Sequence, residues 1–284
     1  VDEQMITVSG ATGNVGSEVV RILRAQGVSV AGLSRQAHAG EPDMAWRVLE
    51  PADTGSAREA LEGADKLALI TSAGEDMFER ERALVQAAAD AGVSHVVKLS
   101  GLGAGPDAPI KLPQQHFKTE ELIKSLGLVY TFVRPNLFMQ TLLASAQTVR
   151  DSGTLYAPAG DGAISFTDVR DVAAVIAAAL TQTGHDNEIY EITGPDAFTF
   201  AQVAALFSQE LGKDVTFVDV APDDAREGML SSGLSPWLAD AFVELYGIYR
   251  AGYGAAVLPG PIEKVTGRPA ASLTTFLRQF AGQF

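Results

Sequence analysis

The sequence predicts an α/β fold, a doubly wound parallel sheet with a smaller α/β C-terminal lobe, on three observations. Apolar runs of strand length alternate with helical periodicity through the first half of the chain. Glycines stand at 10, 13 and 16 in "VSGATGNVGSEVV", between an apolar run and a helix. Past the middle the alternation gives way to a polar stretch and a series of helical patterns. Strands that alternate with helices imply right-handed crossovers and a sheet covered on both faces, a Rossmann-like arrangement.

The elements follow in order. Met5 to Val8 is a short buried strand; Val15, Val19, Ile22 and Leu23 then recur on one helical face. Apolar runs at Val28 to Leu33, Ala45 to Leu49 and Lys66 to Ile70 predict three more strands, the last followed by a helix from Glu75 to Ala91. "HVVKLS" at 95–100, a helix from Pro113 to Leu126 and "LVYTFVRP" at 128–135 close the first part, expected to be a Rossmann-like domain over 1–150. Residues 151–284 are expected to be mainly a substrate-binding lobe. There "DSGTLYAPAGDGAISF" precedes a helix at 169–180, which should pack back on the first domain, and a strand at 188–193. Helices are predicted near 199–212, 234–250 and 270–281, with Leu234, Leu238, Phe242, Leu245 and Tyr249 as a core-packing stripe in the second. A cleft between the two parts is the expected substrate site.

Composition excludes several function classes. The 284 residues are 46% hydrophobic, enough for a large core. No cysteine is present, so disulfide and thiolate chemistry are absent, and four histidines without ligand spacing predict no metal site. A net charge of −14 argues against nucleic acid as a partner. No apolar run is long enough to span a bilayer, and no leader pattern is evident, which points to a cytoplasmic protein that does not bind membranes. The oligomeric state stays open between monomer and homodimer.

Glycines 10, 13 and 16 suit a tight turn and a ligand that approaches the backbone closely. Amides at the start of the following helix favour negative charge, so Gly10, Thr12, Gly13, Asn14, Val15 and Gly16 form a candidate pyrophosphate cradle. The spacing is GxxGxxG rather than GxGxxG, and a structural turn is the simpler alternative.

With "VSGATGNVGSEVV", the segments "HFKTEELIKSLGLVYTFVRPNLFMQ", "ISFTDVRDVAAVIAAAL", "YEITGPDAFTFAQVAAL" and "VTGRPAASLTTFLRQF" span nearly the whole chain. They resemble the NmrA-like atypical short-chain dehydrogenase/reductases, in the branch of quinone oxidoreductases, azoreductases and triphenylmethane reductases. That resemblance implies an NAD(P)H-dependent oxidoreductase. The wider superfamily carries a Tyr and a Lys four residues apart on the helix after the fifth strand; here Leu112 and His116 occupy those positions, so both relay groups are missing. Quinones and azo or triarylmethane dyes accept hydride without such a relay, which makes a small aromatic or quinoid substrate the expected partner. His116, followed by Thr119-Glu120, is a candidate catalytic residue, against a packing role. Ser100 matches the superfamily's substrate-side Ser/Thr, although serines also end strands for local reasons.

The second strand ends "GLSRQ" with no acid before Glu41. Ser34 and Arg35 therefore suit a 2′-phosphate, which favours NADP(H) over NAD(H), with an exposed surface arginine as the alternative. Asp53, in competition with Glu50, is a candidate for the adenine edge, and Thr71 and Ser72 lie at the end of the fourth strand along the expected cofactor path. Pro135 and Asn136 match the place where the family's backbone meets the nicotinamide end. Two other functions stay open: an NADP-binding redox sensor without catalysis, and a tailoring oxidoreductase or oxygenase for an aromatic polyketide.

Overall fold

The computed structural model describes residues 4–36 and 44–284. The chain divides into two compact units, the first made of Val1–Pro109, Pro113–Arg134 and Val172–Glu191, the second of Ile110–Leu112, Pro135–Asp171 and Ile192–Phe284.

The first unit is built on strands β1 (Met5–Val8), β2 (Ser29–Ser34), β3 (Ala45–Val48), β4 (Lys66–Leu69), β5 (His95–Leu99), β6 (Tyr130–Pro135) and β8 (Glu188–Ile192). Their order is β3-β2-β1-β4-β5-β6-β8, and the five pairings from β3 to β6 are parallel. The strand order reverses between β1 and β4. In open α/β sheets a crevice for ligands opens at such a point, outside the carboxyl ends of the strands. Helix α1 (Asn14–Ala25) buries Val15, Val19 and Leu23 of the face its periodicity marked, with Val20 beside them, while Ile22 stays half-buried. Helices α2 (Thr54–Ala60), α3 (Met77–Asp90) and α4 (Lys111–Ser125) also flank the sheet, and a core of Leu33, Leu61, Leu67, Leu84, Val96, Ile123 and Phe132 lies beneath them. Each such side chain taken out of water contributes about 1.5–3 kcal/mol.

Sequence expectation and structure differ in a few elements. Helix α4 begins two residues before Pro113, which sits in its first turn, where a missing N–H costs nothing. Helix α2 has too short an apolar pattern to stand out, and is fixed by its cap. The glycine-rich segment after β5 folds into two tight turns, closed by Ala104 N–H to Gly101 O (3.1 Å) and Ala108 N–H to Gly105 O (3.2 Å).

The second unit holds the short strands β7 (Thr154–Ala157) and β9 (Thr216–Asp219), paired in parallel, and the helices α5 (Ala146–Ser152), α7 (Phe200–Leu211), α8 (Pro222–Ser231), α9 (Pro236–Arg250), α10 (Gly260–Thr266) and α11 (Leu273–Phe280). Helix α6 (Val169–Thr181) begins in this unit and continues into the first. Thr199 and Gln202 close a capping box at the start of α7. Leu155, Phe166, Phe200, Phe207 and Phe276 form the core. Of the stripe expected to pack there, Tyr249 is buried and Leu245 lies against this core, whereas Leu234, Leu238 and Phe242 remain half-exposed. Among the described residues no helix is long and apolar enough to cross a membrane, and no group of acidic and histidine side chains could hold a metal ion.

Candidate active site

The turn after β1 separates the three glycines by need. Gly10 has φ +61°, and a Cβ there would lie 2.6 Å from the carbonyl oxygen of Ile70. A Cβ on Gly16 would lie 2.1 Å from the Gly10 carbonyl oxygen. Both positions require glycine for the turn to close. Gly13 is less constrained: it is extended, φ −83° and ψ 173°, and its Cβ would meet only Gly10 O, at 3.3 Å, a tight contact that a shift of a few tenths of an ångström relieves. Helix α1 starts here with no side-chain cap and no acidic residue in its first turn, so its leading amides are left to an acceptor from outside the chain. A cradle lined by backbone amides, with one glycine that the turn constrains less than the other two, fits a pyrophosphate.

The remaining cofactor candidates of the first unit lie at the carboxyl ends of its strands. Ser34 ends β2 half-buried, its hydroxyl 3.3 Å from the Gln36 amide that donates to it, and Arg35 is exposed beside it. Glu41 lies outside the described residues. Asp53 caps α2, its Oδ1 accepting from Ser56 N–H (2.6 Å), and the Glu50 amide donates to Ser56 Oγ (2.9 Å). Thr71 is half-buried and Ser72 exposed. The segment they belong to abuts the glycine turn, because Ser9 Oγ accepts from Ile70 N–H (2.8 Å) and donates to Ile70 O (2.9 Å).

Ser100 and His116 stand in a buried polar network. Ser100 Oγ donates to Glu120 Oε1 (2.6 Å), and Arg134 Nε donates to the same oxygen (2.9 Å) while Nη1 reaches Glu191 (3.2 Å). Next to Glu120, Thr119 Oγ1 donates to Glu81 Oε2 (2.6 Å), and Glu81 Oε1 accepts from Lys98 Nζ (2.6 Å); Lys98 and Glu81 are both fully buried. Sequence reasoning missed these partners. The signal was the lone Lys in the apolar run "HVVKLS", which a parallel strand buries on both faces and which then needs a carboxylate. His116 is half-buried, packed over Gly101, where a Cβ would lie 3.0 Å from its Cδ2. Its Nδ1 is buried without a hydrogen-bond partner. Burial first, and then the charges of Lys98 and Arg134, push its pKa well below the ordinary histidine value.

Pro135 and Asn136 belong to the second unit. Pro135 is buried at the end of β6, and the Asn136 side chain is fully engaged: Nδ2 donates to Ser165 Oγ (2.9 Å) and Gly254 O (3.0 Å), and Oδ1 accepts from Tyr249 OH (2.8 Å). Any ligand at this position is left with the backbone. Burial raises the pKa of the Tyr249 phenol, as it does that of neighbouring Tyr246, pushed up to about 12.

Residues 2–276 match the NmrA-like family. The chain belongs to that family. It is 39% identical over 286 residues to the NAD(P)H azoreductase of Xenophilus azovorans, with 99% of each chain covered. It is 34% identical over 292 residues to the (4-alkanoyl-5-oxo-2,5-dihydrofuran-3-yl)methyl phosphate reductase of Streptomyces griseus, again with 99% of each covered. Among solved structures it is similar to an NADPH-dependent quinone oxidoreductase of Escherichia coli complexed with NADPH, with TM-score 0.86, 28% identity and coverage of 97% of this chain and 99% of that one.

Proposed function

We propose that this NAD(P)H-dependent oxidoreductase favours NADPH and reduces a conjugated, electron-poor acceptor, quinoid or dye-like, without a Tyr/Lys proton relay. The observation that carries this reading is Gly13, a glycine at the head of α1 that the turn demands far less than Gly10 and Gly16 and that keeps the uncapped helix amides open to a pyrophosphate. The names of the relatives support it, since an azo compound, a quinone and an unsaturated lactone all spread an incoming electron pair over a conjugated system. When bound, the dinucleotide supplies the hydride. The amides of Asn14, Val15 and Gly16 hold its pyrophosphate, Ser34 and Arg35 its 2′-phosphate, and Thr71 and Ser72 line its path; Asp53 is left at the adenine edge with one carboxylate oxygen already spent on its helix cap. Pro135 and Asn136 offer backbone to the nicotinamide end. Ser100 donates its O–H hydrogen bond to Glu120, which leaves its oxygen as an acceptor, and His116 as a neutral imidazole orients the substrate rather than protonating it. Product oxygen or nitrogen then takes its proton from water, chemistry that depends on placement more than on a protein acid.

The test is steady-state oxidation of NADPH and NADH with quinones, azo dyes, a cationic triarylmethane dye and an unsaturated lactone, with simple ketones as controls. Conjugated acceptors should turn over and ketones should not. Arg35→Ala should weaken NADPH by about 1.5–3 kcal/mol, the worth of a charge-assisted hydrogen bond, roughly 10- to 150-fold, and leave NADH nearly unchanged. Equal losses for both cofactors would remove Arg35 from the 2′-phosphate, and tight NADPH binding without turnover of any acceptor would favour a redox sensor.

A further inference from the structure

We propose that Gln115 is a positioning residue of the reductase reaction: its side-chain amide locks the segment between β4 and α3, one wall of the crevice beside the glycine turn, to the helix that carries His116. The inference rests on the dinucleotide reading of that crevice. The segment from Ile70 to Phe78 has little regular structure of its own and is held from outside at three points. Ser9 fastens Ile70 at its start. Arg80 Nη2 donates to Ser72 O (3.0 Å) and pairs with Asp76 (3.0 Å) in the middle. Gln115 closes the end: Oε1 accepts from Phe78 N–H (3.1 Å), and Nε2 donates to Gly74 O (3.1 Å), with Glu75 O at 3.4 Å.

That last contact has a physical reason. Asp76 is the N-cap residue of α3 yet makes no capping bond, because its carboxylate is drawn to Arg80. The orphaned amide of Phe78 is capped instead from α4, by a side chain that is itself buried. An acceptor must face the N–H while a donor faces the carbonyls, so only an amide serves; a carboxylate of the same shape would set an oxygen against two oxygens. Thr71 and Ser72, between Ser9 and Arg80 in this chain of contacts, are thereby held at a fixed height above the β1–β4 switch point. His116, the next residue on α4, is held relative to them by the same amide.

The experiment compares wild type, Gln115→Glu and Gln115→Met by NADPH fluorescence titration, by KM for NADPH and for the quinone separately, and by the primary isotope effect with NADPH deuterated at the transferred position. Folding is monitored by circular dichroism. A carboxylate oxygen set against the Gly74 and Glu75 carbonyls should raise the NADPH dissociation constant about tenfold or more in Gln115→Glu, which keeps only the bond from Phe78 N–H. Loss of both better hydrogen bonds without that repulsion should raise it less in Gln115→Met, with KM for quinone little changed. The isotope effect on kcat should rise as misplaced hydride transfer becomes limiting. A purely structural glutamine would lower the melting temperature and leave affinity per folded molecule and the isotope effect at wild-type values; that result in either folded variant would overturn the proposal. Should Gln115→Glu fail to fold, Gln115→Met decides by the same criteria. Wild type that binds no NADPH would take down the dinucleotide reading and this inference together, whereas wild-type binding with unaffected variants would take down this inference alone.

Discussion

At His116 the environment selects one protonation state. A half-buried ring near the cations of buried Lys98 and partly buried Arg134 loses more by gaining charge than it recovers from water, so the imidazolium is suppressed around neutral pH. A neutral ring orients or donates a hydrogen bond; it does not serve as a cationic acid. The pH dependence of kcat with a quinone should therefore show no inflection from this residue between about pH 6 and 8. His116→Ala should cost less than the roughly 100- to 10,000-fold that loss of a general acid brings. A loss in that range, together with an inflection in the wild-type profile that disappears in the variant, would restore an acid role. Ser100 carries a related lesson. As a residue at a strand end it was legible in the sequence; the glutamate that accepts its hydrogen bond was not, because Glu120 lies twenty positions away on another element.

Among the elements, the glycine turn is the one whose strand–turn–helix geometry could be read in advance, because that spacing is local. Its internal division of labour was hidden, since whether a Cβ fits depends at Gly10 on Ile70, distant in sequence, and at Gly13 and Gly16 on where the folded turn aims the Gly10 carbonyl. Gly16→Ala should fail to fold or be strongly destabilised, its methyl driven into the Gly10 carbonyl. Gly13→Val should fold, with a melting temperature lowered far less than that of Gly16→Ala, and bind no NADPH in calorimetry. Unchanged affinity in a folded Gly13→Val protein would remove the pyrophosphate from this turn. Helices α2 and α8 escaped notice for another reason: α2 buries only Ala57 and Ala60 and α8 buries none, so no periodic apolar signal marks them. Long-range polar pairs, Lys98 with Glu81 and Arg134 with Glu120, are legible only as misplaced charges whose partners the fold supplies.

For the molecule as a whole, acid should be the vulnerable direction. His95 is held below the usual histidine pKa of 6.5 by burial and then by Lys66, and His116 further below it. Each has a folded pKa beneath its unfolded one, so the unfolded chain binds protons first. Their stabilising contribution is complete above pH 6.5 and is lost as pH falls from there through the folded values. Opposing this, a net charge of −14 shrinks as pH approaches the isoelectric point of 4.7, which relaxes self-repulsion. Comparing melting temperature against pH for wild type and His95→Gln separates the two: the variant should lose part of the decline below pH 6.5. Identical slopes would mean that His95 titrates alike in both states. The glycine turn also bears on descent. A lineage on this scaffold that gave up its dinucleotide would stay bound to glycine at positions 10 and 16 by sterics, while position 13 would be released to drift. A side chain at that one position would therefore serve as a molecular fossil, marking in a bare sequence the descendants that keep the fold after the cofactor has gone.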